Sequence, residues 1–421
     1  MNIGLATTWF ERGAALVSRA YMDTLTAGGH NVFVFARAGE RYAVGNPKWD
    51  LPNVTWGRSS TWHRPTWVDW REFESWVARN RLDLLIFNEQ HVWSVVIRSH
   101  QFGIPIGAYV DYYTSRTVPF FQTYDFLLCN TRRHYGVFQN HPQAFHIPWG
   151  TDCRLFGGTG EVVHPDRVTF FHSYGFDPNR KGTDIAIMAF RELTGPARLV
   201  IHGQVPLTRF PRIAELASGD GRIEVIEKEV GAPGLYHLGD VYVYPSRLEG
   251  VGLTIAEAQA SGLPTITTDL PPMNEFVAHG ESGRLVRAED VKIHPGPDDY
   301  YWPSIAPVTS AMTEAMRWYV DRVAELPAMK DRARNWATSR LDWTKNSRAL
   351  LGIVPSLRLT AARPVPRTVE HEISNYERTH DRAWFLGRMR SLAGTAGGRF
   401  VRGGARRLLR PMRTKRGSAN P

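Results

Sequence analysis

Short apolar runs alternate with helical segments along this chain, and the alternation restarts once after a polar break. The first round opens with strand Ile3–Thr7, a loop holding Gly13, helix Ala14–Ala27, the stop Gly28-Gly29 and strand Val32–Phe35. Leu16, Ala20, Tyr21 and Leu25 keep helical spacing, and paired glycines are a good C-terminal cap. A strand–helix–strand opening of this length implies a parallel, right-handed unit. Buried-strand candidates follow at Leu82–Phe87, Ile104–Val110, Phe126–Asn130 and Ala144–Ile147, before Pro148, Gly150 and Asp152 break the pattern. Beyond the polar, Gly-rich stretch Gly157–Pro165 the alternation resumes. Strands Val168–His172, Leu199–Gly203, Ile223–Ile226, Val241–Tyr244 and Thr265–Thr268 are interleaved with helices Thr183–Leu193 and Leu253–Ala260. Helices around Ser310–Glu325 and Asp331–Ile353 close the body. Two such rounds predict an α/β chain with two doubly wound, Rossmann-like domains, residues 1–157 and 158–353, facing across a cleft. The length of 421 residues agrees, since single cores stop growing near ~250–300 residues. In such sheets ligands sit past the carboxyl ends of the strands, so the cleft is the expected site.

Composition narrows the function. Only Cys129 and Cys153 are present, with no His or Cys cluster at metal-ligand spacing, so a disulfide framework is disfavoured and structural zinc is excluded. No run of about 18 uncharged apolar residues occurs, and the start MNIGLATTWFERG lacks the basic and apolar regions of a signal peptide. A cytoplasmic protein is the expectation. The formal charge of +10 is concentrated at one end: from Arg382 onward there are eleven Lys or Arg and no acid, leaving 40 basic and 41 acidic side chains in residues 1–381. Residues 354–381 read as a linker, and 382–421 as a basic, flexible tail whose glycines argue against one continuous helix.

The stretch VYVYPSRLEGVGLTIAEAQASGLPTITTD, residues 241–269, carries the chemistry. A strand ends at Pro245, a loop holds Glu249, and Gly250-Val251-Gly252 leads into a helix containing Glu257. Glycines before a helix let the backbone approach a ligand closely, and the helix N-terminus offers N–H groups and partial positive charge that suit a diphosphate. The same pattern is common as plain structure in α/β proteins, where a carboxylate in the first turns complements the helix dipole by ~0.3–1 kcal/mol.

This stretch resembles the signature of the family 4 retaining glycosyltransferases of GT-B architecture (glycosyl transferases group 1), in which P-S-x-x-E-G-x-G-L precedes E-A-x-A-x-G-x-P. Every fixed letter is matched, at Pro245, Ser246, Glu249, Gly250, Gly252, Leu253, Glu257, Ala258, Ala260, Gly262 and Pro264. HIPWGTDCRLF, NRKGTDIAIMAF, LVIHGQ and NEFVAHGESGRLV resemble further family segments on either side, and the resemblance runs to about residue 353. It implies a nucleotide-sugar donor whose sugar hydroxyls meet Glu249, whose ribose meets Glu257, and whose phosphates meet Lys181, the N–H groups of Gly252, Leu253 and Thr254, and the loop of Gly13. Gly203 is implied to face the nucleotide. The implied reaction moves the sugar, with retention, to a hydroxyl acceptor on a glycan or lipid-linked sugar. No D-x-D triplet occurs, so no metal or other cofactor is expected.

Two departures from the family pattern stand out. Tyr174-Gly175 lies where a Gly-Arg pair is usual, and Arg180 is either the replacement cation or a solvent-facing neighbour of Lys181. Asp111 stands where a His is common, as an acceptor or sugar contact or as an ordinary turn residue. Two alternatives stay open on the same architecture: a sugar-nucleotide epimerase and a non-catalytic sugar or nucleotide binder. Dinucleotide redox chemistry is disfavoured, because the first loop has no G-x-G-x-x-G. The tail has three readings. An anionic membrane surface at the inner face would attract its cations and take up Trp384, Phe385, Phe400 and Leu408-Leu409. Nucleic acid would bind it without sequence specificity, and otherwise it is a solubilising extension.

Overall fold

The computed structural model describes residues 1–394 apart from 38–42, 61, 158–163 and 290–295. Most of the Gly157–Pro165 break and the tail beyond 394, with Phe400 and Leu408-Leu409, lie outside the described residues.

The first sheet contains β1 (Asn2–Thr7), β2 (Asn31–Ala36), β3 (Val54–Trp56), β4 (Leu84–Asn88), β5 (Ile106–Val110), β6 (Phe126–Cys129) and β7 (Ala144–His146). Helices α1 (Gly13–Ala27), α2 (Trp70–Arg79), α3 (Trp93–Ser99) and α4 (Arg132–Phe138) cover it. The second sheet contains β8 (Val168–Gly175), β9 (Ala197–Gly203), β10 (Ile223–Glu227), β11 (Val241–Tyr244), β12 (Thr265–Thr268) and β13 (Gly283–Val286), with α5 (Thr183–Arg191), α6 (Pro211–Ser218), α7 (Leu253–Ala260), α8 (Thr309–Val320) and α9 (Leu326–Arg340) around it. Helices α10 (Trp343–Asn346), α11 (Arg348–Ile353) and α12 (Arg367–Gly394) follow.

All strand pairs are parallel, with orders β3-β2-β1-β4-β5-β6-β7 and β10-β9-β8-β11-β12-β13. Over six strands the two orders are the same, and each reverses direction once, between β1 and β4 and between β8 and β11. Such switch points open a crevice at the carboxyl edge. The expected two doubly wound sheets are therefore present, packed as GT-B architecture. Buried on both faces, the central strands read as continuous apolar runs rather than as alternations.

Two elements carry too weak a pattern to be read from sequence. β3 is three residues long and half-buried. Helix α2 begins at an Asp69 cap, which accepts from the N–H groups of Arg71 (3.0 Å) and Glu72 (3.2 Å), and buries Phe73, Trp76 and Val77 at helical spacing. Burying each such side chain contributes ~1.5–3 kcal/mol.

The expected domain boundary at 353 and the expected linker both need correction. After α9 the chain returns to the first domain: Trp343 packs 5.5 Å from Tyr21 and its Nε1 bonds Thr24 Oγ1 at 3.1 Å in α1. The buried Asp125 carboxylate then accepts from Thr360 N (2.8 Å), Ala361 N (3.0 Å) and Arg363 (2.6 Å). Helix α12 buries Ile373 and Tyr376 in the first-domain core and runs through Gly387, so residues 382–394 extend a docked helix. Tertiary packing outweighs the glycine cost of about 1 kcal/mol.

Candidate functional site

The switch point of the second sheet brings two loops together. The loop after β8 ends in Arg180 and Lys181, and the loop after β11 carries Ser246 and Glu249. Lys181 Nζ lies 2.7 Å from Glu249 Oε1 and donates to the Tyr244 hydroxyl, over whose ring it stands at 4.8 Å. Ser246 Oγ donates to the same Oε1 at 2.5 Å, and Arg180 reaches Oε2 at 3.5 Å and the Leu248 carbonyl at 3.1 Å. Arg180 thus points at the carboxylate, an orientation that the sequence left open.

Glu249 is 5% exposed. Burial alone would push its pKa up, but Lys181, Arg180 and the Ser246 hydroxyl outweigh it and hold the carboxyl down at about 2. Lys181 is pulled below its ordinary value by burial, against the opposing pull of Glu249. Behind the pair, His172 bonds the Val243 carbonyl through Nδ1 and Thr183 Oγ1 through Nε2, both at 2.8 Å, and burial lowers it to about 4, so it is neutral.

Gly252 adopts φ +88°, the left-handed region that a glycine enters at no steric cost, and turns the chain into α7. No side chain caps that helix. Leu253 reaches across the cleft: a Cβ on Gly13, at the start of α1, would lie 3.6 Å from its Cδ1. Thr254 sits in the first turn beside Tyr242 and Tyr244. Glu257, one turn further, accepts from the Tyr236 hydroxyl at 2.6 Å, and its pKa is raised by burial. Gly203 lies under Tyr174. A Cβ there would lie 1.7 Å from the tyrosine Cζ, so the ring that replaces the expected Gly-Arg feature fills the space over the end of β9.

Asp111, just past β5, comes from the first domain and abuts Gly250, where a Cβ would lie 2.0 Å from its Oδ1. Burial, then Glu89, raise its pKa; Arg133 and Arg12 lower it and Glu249 adds to the rise, leaving about 7. Sequence reasoning missed what stands next to it. Arg133 in α4 donates to the carbonyls of Glu249 and Pro271 (2.8 Å) and to the Tyr300 hydroxyl (3.2 Å), and lies over Trp302 at 5.0 Å. His134 bonds the Gly250 carbonyl through Nε2 and the Tyr113 hydroxyl through Nδ1, both at 2.9 Å; burial keeps it neutral, with a pKa near 3. Glu275 of the second domain receives the N–H groups of Arg132 (2.6 Å) and Arg133 (2.9 Å) in return. The loop bearing Glu249 is therefore gripped from the opposite domain. The one signal in the sequence is Thr131, which caps α4 by accepting from His134 N at 3.2 Å.

The first sheet's switch point has its own cavity of about 320 Å³, lined by Thr8, Arg12, Arg37, Pro65, Thr66, Glu89, His91 and Tyr112. Thr66 (φ 74°) and Glu89 (φ 51°) hold left-handed backbone that such residues rarely adopt, as residues at binding sites often do. Among the described residues no group of three or more His, Cys, Asp or Glu could hold a metal ion.

Residues 166–293 match the family model for the glycosyl transferases group 1. The chain is 37% identical over 83 residues to the lipopolysaccharide core biosynthesis mannosyltransferase LpsB of Rhizobium meliloti (strain 1021), a match covering 19% of this chain and 23% of that protein. The chain thus spans less than a quarter of that relative's length. Among solved structures it is similar to sucrose-phosphate synthase from Thermosynechococcus elongatus (TM-score 0.65, 16% identity, 85% of this chain and 98% of that one). It is also similar to HepE from Anabaena solved with UDP and glucose (TM-score 0.63, 16% identity, 85% and 100%). At such identities these likenesses speak for the fold.

Proposed function

We propose that this chain, whose residues 166–293 belong to the glycosyl transferases group 1, moves a sugar from a nucleotide-diphosphate donor to a hydroxyl acceptor with retention and without a metal. One observation carries the reading: a buried Lys181–Glu249 pair, extended by Arg180, faces the uncapped start of α7 and the Gly13 loop across the cleft. A donor diphosphate fits between these groups, its charge met by Lys181, Arg180 and the N–H groups of Gly252, Leu253 and Thr254. The ionised Glu249 accepts from the hydroxyls of the donor sugar, and Glu257 from the ribose. HepE, a structural neighbour solved with UDP and glucose, supports the class of donor.

In the proposed step the bond from anomeric carbon to phosphate oxygen breaks while the acceptor oxygen bonds that carbon on the same face. The acceptor proton passes to the departing phosphate oxygen. Stabilising the charge on that oxygen is the protein's task, and charged hydrogen bonds of ~1.5–3 kcal/mol each make a few donors enough for a large rate effect. We assign to Asp111, whose pKa is raised to about 7 beside Gly250, a hydrogen bond with an acceptor or sugar hydroxyl, which it can make in either protonation state.

The test is a panel of UDP-, GDP-, ADP- and TDP-sugars with a chelator present, read by thermal shift and slow donor hydrolysis. One donor should stabilise the chain and be hydrolysed, with both responses lost in Glu257→Ala and Lys181→Ala. A panel in which no nucleotide sugar binds would overturn the reading, and turnover of the donor without any gain from acceptors would favour an epimerase.

A further inference from the structure

We propose that the end of α12 and the loop beside it form a docking surface for an anionic lipid bilayer, which brings the first-domain cavity against a membrane-borne acceptor. Trp62 is 50% exposed and Phe385 is 42% exposed, and their rings lie 5.9 Å apart at the surface. Single exposed apolar side chains are ordinary, but a pair of large rings in a cationic setting is the composition of an interfacial anchor. Arg382 and Arg390 are exposed on the same stretch of helix, and Arg388 lies over the Trp384 ring at 5.7 Å. The 27 residues after 394 add eight Lys or Arg and no acid. Residues 1–381 are close to neutral, so the attraction to negative lipid is local to this end of the chain.

The aromatic loop and the helix are one unit. Arg64 pairs with Asp381 and, at 3.7 Å, with Glu377, both on α12. His63 stacks on Trp67 at 4.2 Å. Arg64 also donates to the His91 carbonyl at 3.2 Å, and His91, Pro65 and Thr66 line the 320 Å³ cavity together with the exposed Tyr112. The docking surface is thus continuous with the rim of the cavity, whose size is that of small-molecule sites. Leu386 and Met389 on the helix have nothing to bind on a nucleic-acid backbone but can bury in acyl chains. The delivery of an acceptor rests on the proposed transfer reaction; the docking itself does not.

The full chain should therefore sediment with phosphatidylcholine vesicles only when about a third of the lipid is phosphatidylglycerol, and should release as salt rises. Trp62→Ser/Phe385→Ser should weaken the partition about tenfold or more, with the melting temperature and the solution rate of donor hydrolysis unchanged. Equal binding to vesicles lacking phosphatidylglycerol, or wild-type affinity in the double variant, would sink the assignment of this surface. Tight retention of a DNA duplex with no vesicle binding would give the basic end to nucleic acid instead. Because the vesicles are offered without donor, failure here leaves the transfer reading standing, and an inactive donor panel leaves this one standing.

Discussion

Replacing Lys181 by Met removes one member of a buried pair and leaves the Glu249 carboxylate with Arg180 at 3.5 Å and Ser246 at 2.5 Å. Breaking a buried pair costs ~3–5 kcal/mol, and because Arg180 remains, the low end of about 3 is expected. The ionisation of Glu249 gives an independent figure. A carboxyl drawn from its ordinary 4.5 to about 2 corresponds to ~3 kcal/mol. Its folded pKa is depressed, so this stability is present above pH 4.5 and is lost as pH falls toward 2. For domains of this size ~2–4 °C is lost per kcal/mol, so the melting temperature of Lys181→Met should fall by about 6–12 °C at pH 7. Glu249→Gln, which strands the ammonium, should fall by a similar amount. The double variant should melt no lower than either single, a coupling of about 3 kcal/mol or more. Near-UV circular dichroism melts of the four proteins give the cycle, and chromatography of released nucleotide gives the rate. Donor hydrolysis should drop ~10²–10³-fold in Lys181→Met and stay down in the double variant, because the ammonium is absent from both. Additivity of the two single effects within ~0.5 kcal/mol would refute the claim that the two charges depend on each other.

Two further outcomes follow from the first-domain side of the cleft. The folded pKa of Asp111, about 7, is raised, so the unfolded chain ionises first and stability should decline between pH 4 and pH 7, then level; Asp111→Asn should flatten that slope and leave the protein more stable at pH 8, and an unchanged slope would show that the decline comes from other groups. Arg133→Met deletes the hydrogen bonds to Glu249, Pro271 and Tyr300; with charged bonds at ~1.5–3 kcal/mol each, kcat/KM should fall at least tenfold and the X-ray scattering radius should grow as the domains part, whereas an unchanged radius and rate would remove the grip from the mechanism.

The sequence showed the cleft's second-domain wall far better than its first-domain wall. Glu249 and Glu257 follow a strand whose apolar run is buried on both sides, so the pattern put them at the carboxyl edge; Lys181 was picked out by the family resemblance, and its meeting with Glu249 follows from where the strand order reverses. Arg133, His134, Tyr300 and Trp302 had no such marker. Their contacts join α4 to the second domain over separations above a hundred residues, and only the docking of two finished domains creates them. Helix α12 was misjudged for a related reason. Gly387 and the polar composition weigh against a helix taken alone, while Ile373, Tyr376 and the Arg64 ion pairs stabilise it from outside. The spacing of Ile373, Tyr376, His380 and Trp384 is helical, and is the signal that could have found it.

The return of the chain to its first domain has a mechanical consequence. Two segments cross between the halves, one near Thr151 and one near Asp342, and they run side by side: Thr151 N bonds the Leu341 carbonyl at 2.7 Å and Trp343 N bonds the Thr151 carbonyl at 3.0 Å. Trp149 and Trp343 brace the same spot, with ring centroids 4.7 Å apart. A lone connecting strand is a swivel. Two strands laced together make a leaf spring, soft to bending in one plane and stiff to torsion. Opening such a molecule swings Asp111 and Gly13 away from Gly250 and Leu253 along a single arc, and closing it returns them in register, so the path itself carries the alignment that a free joint would have to search for.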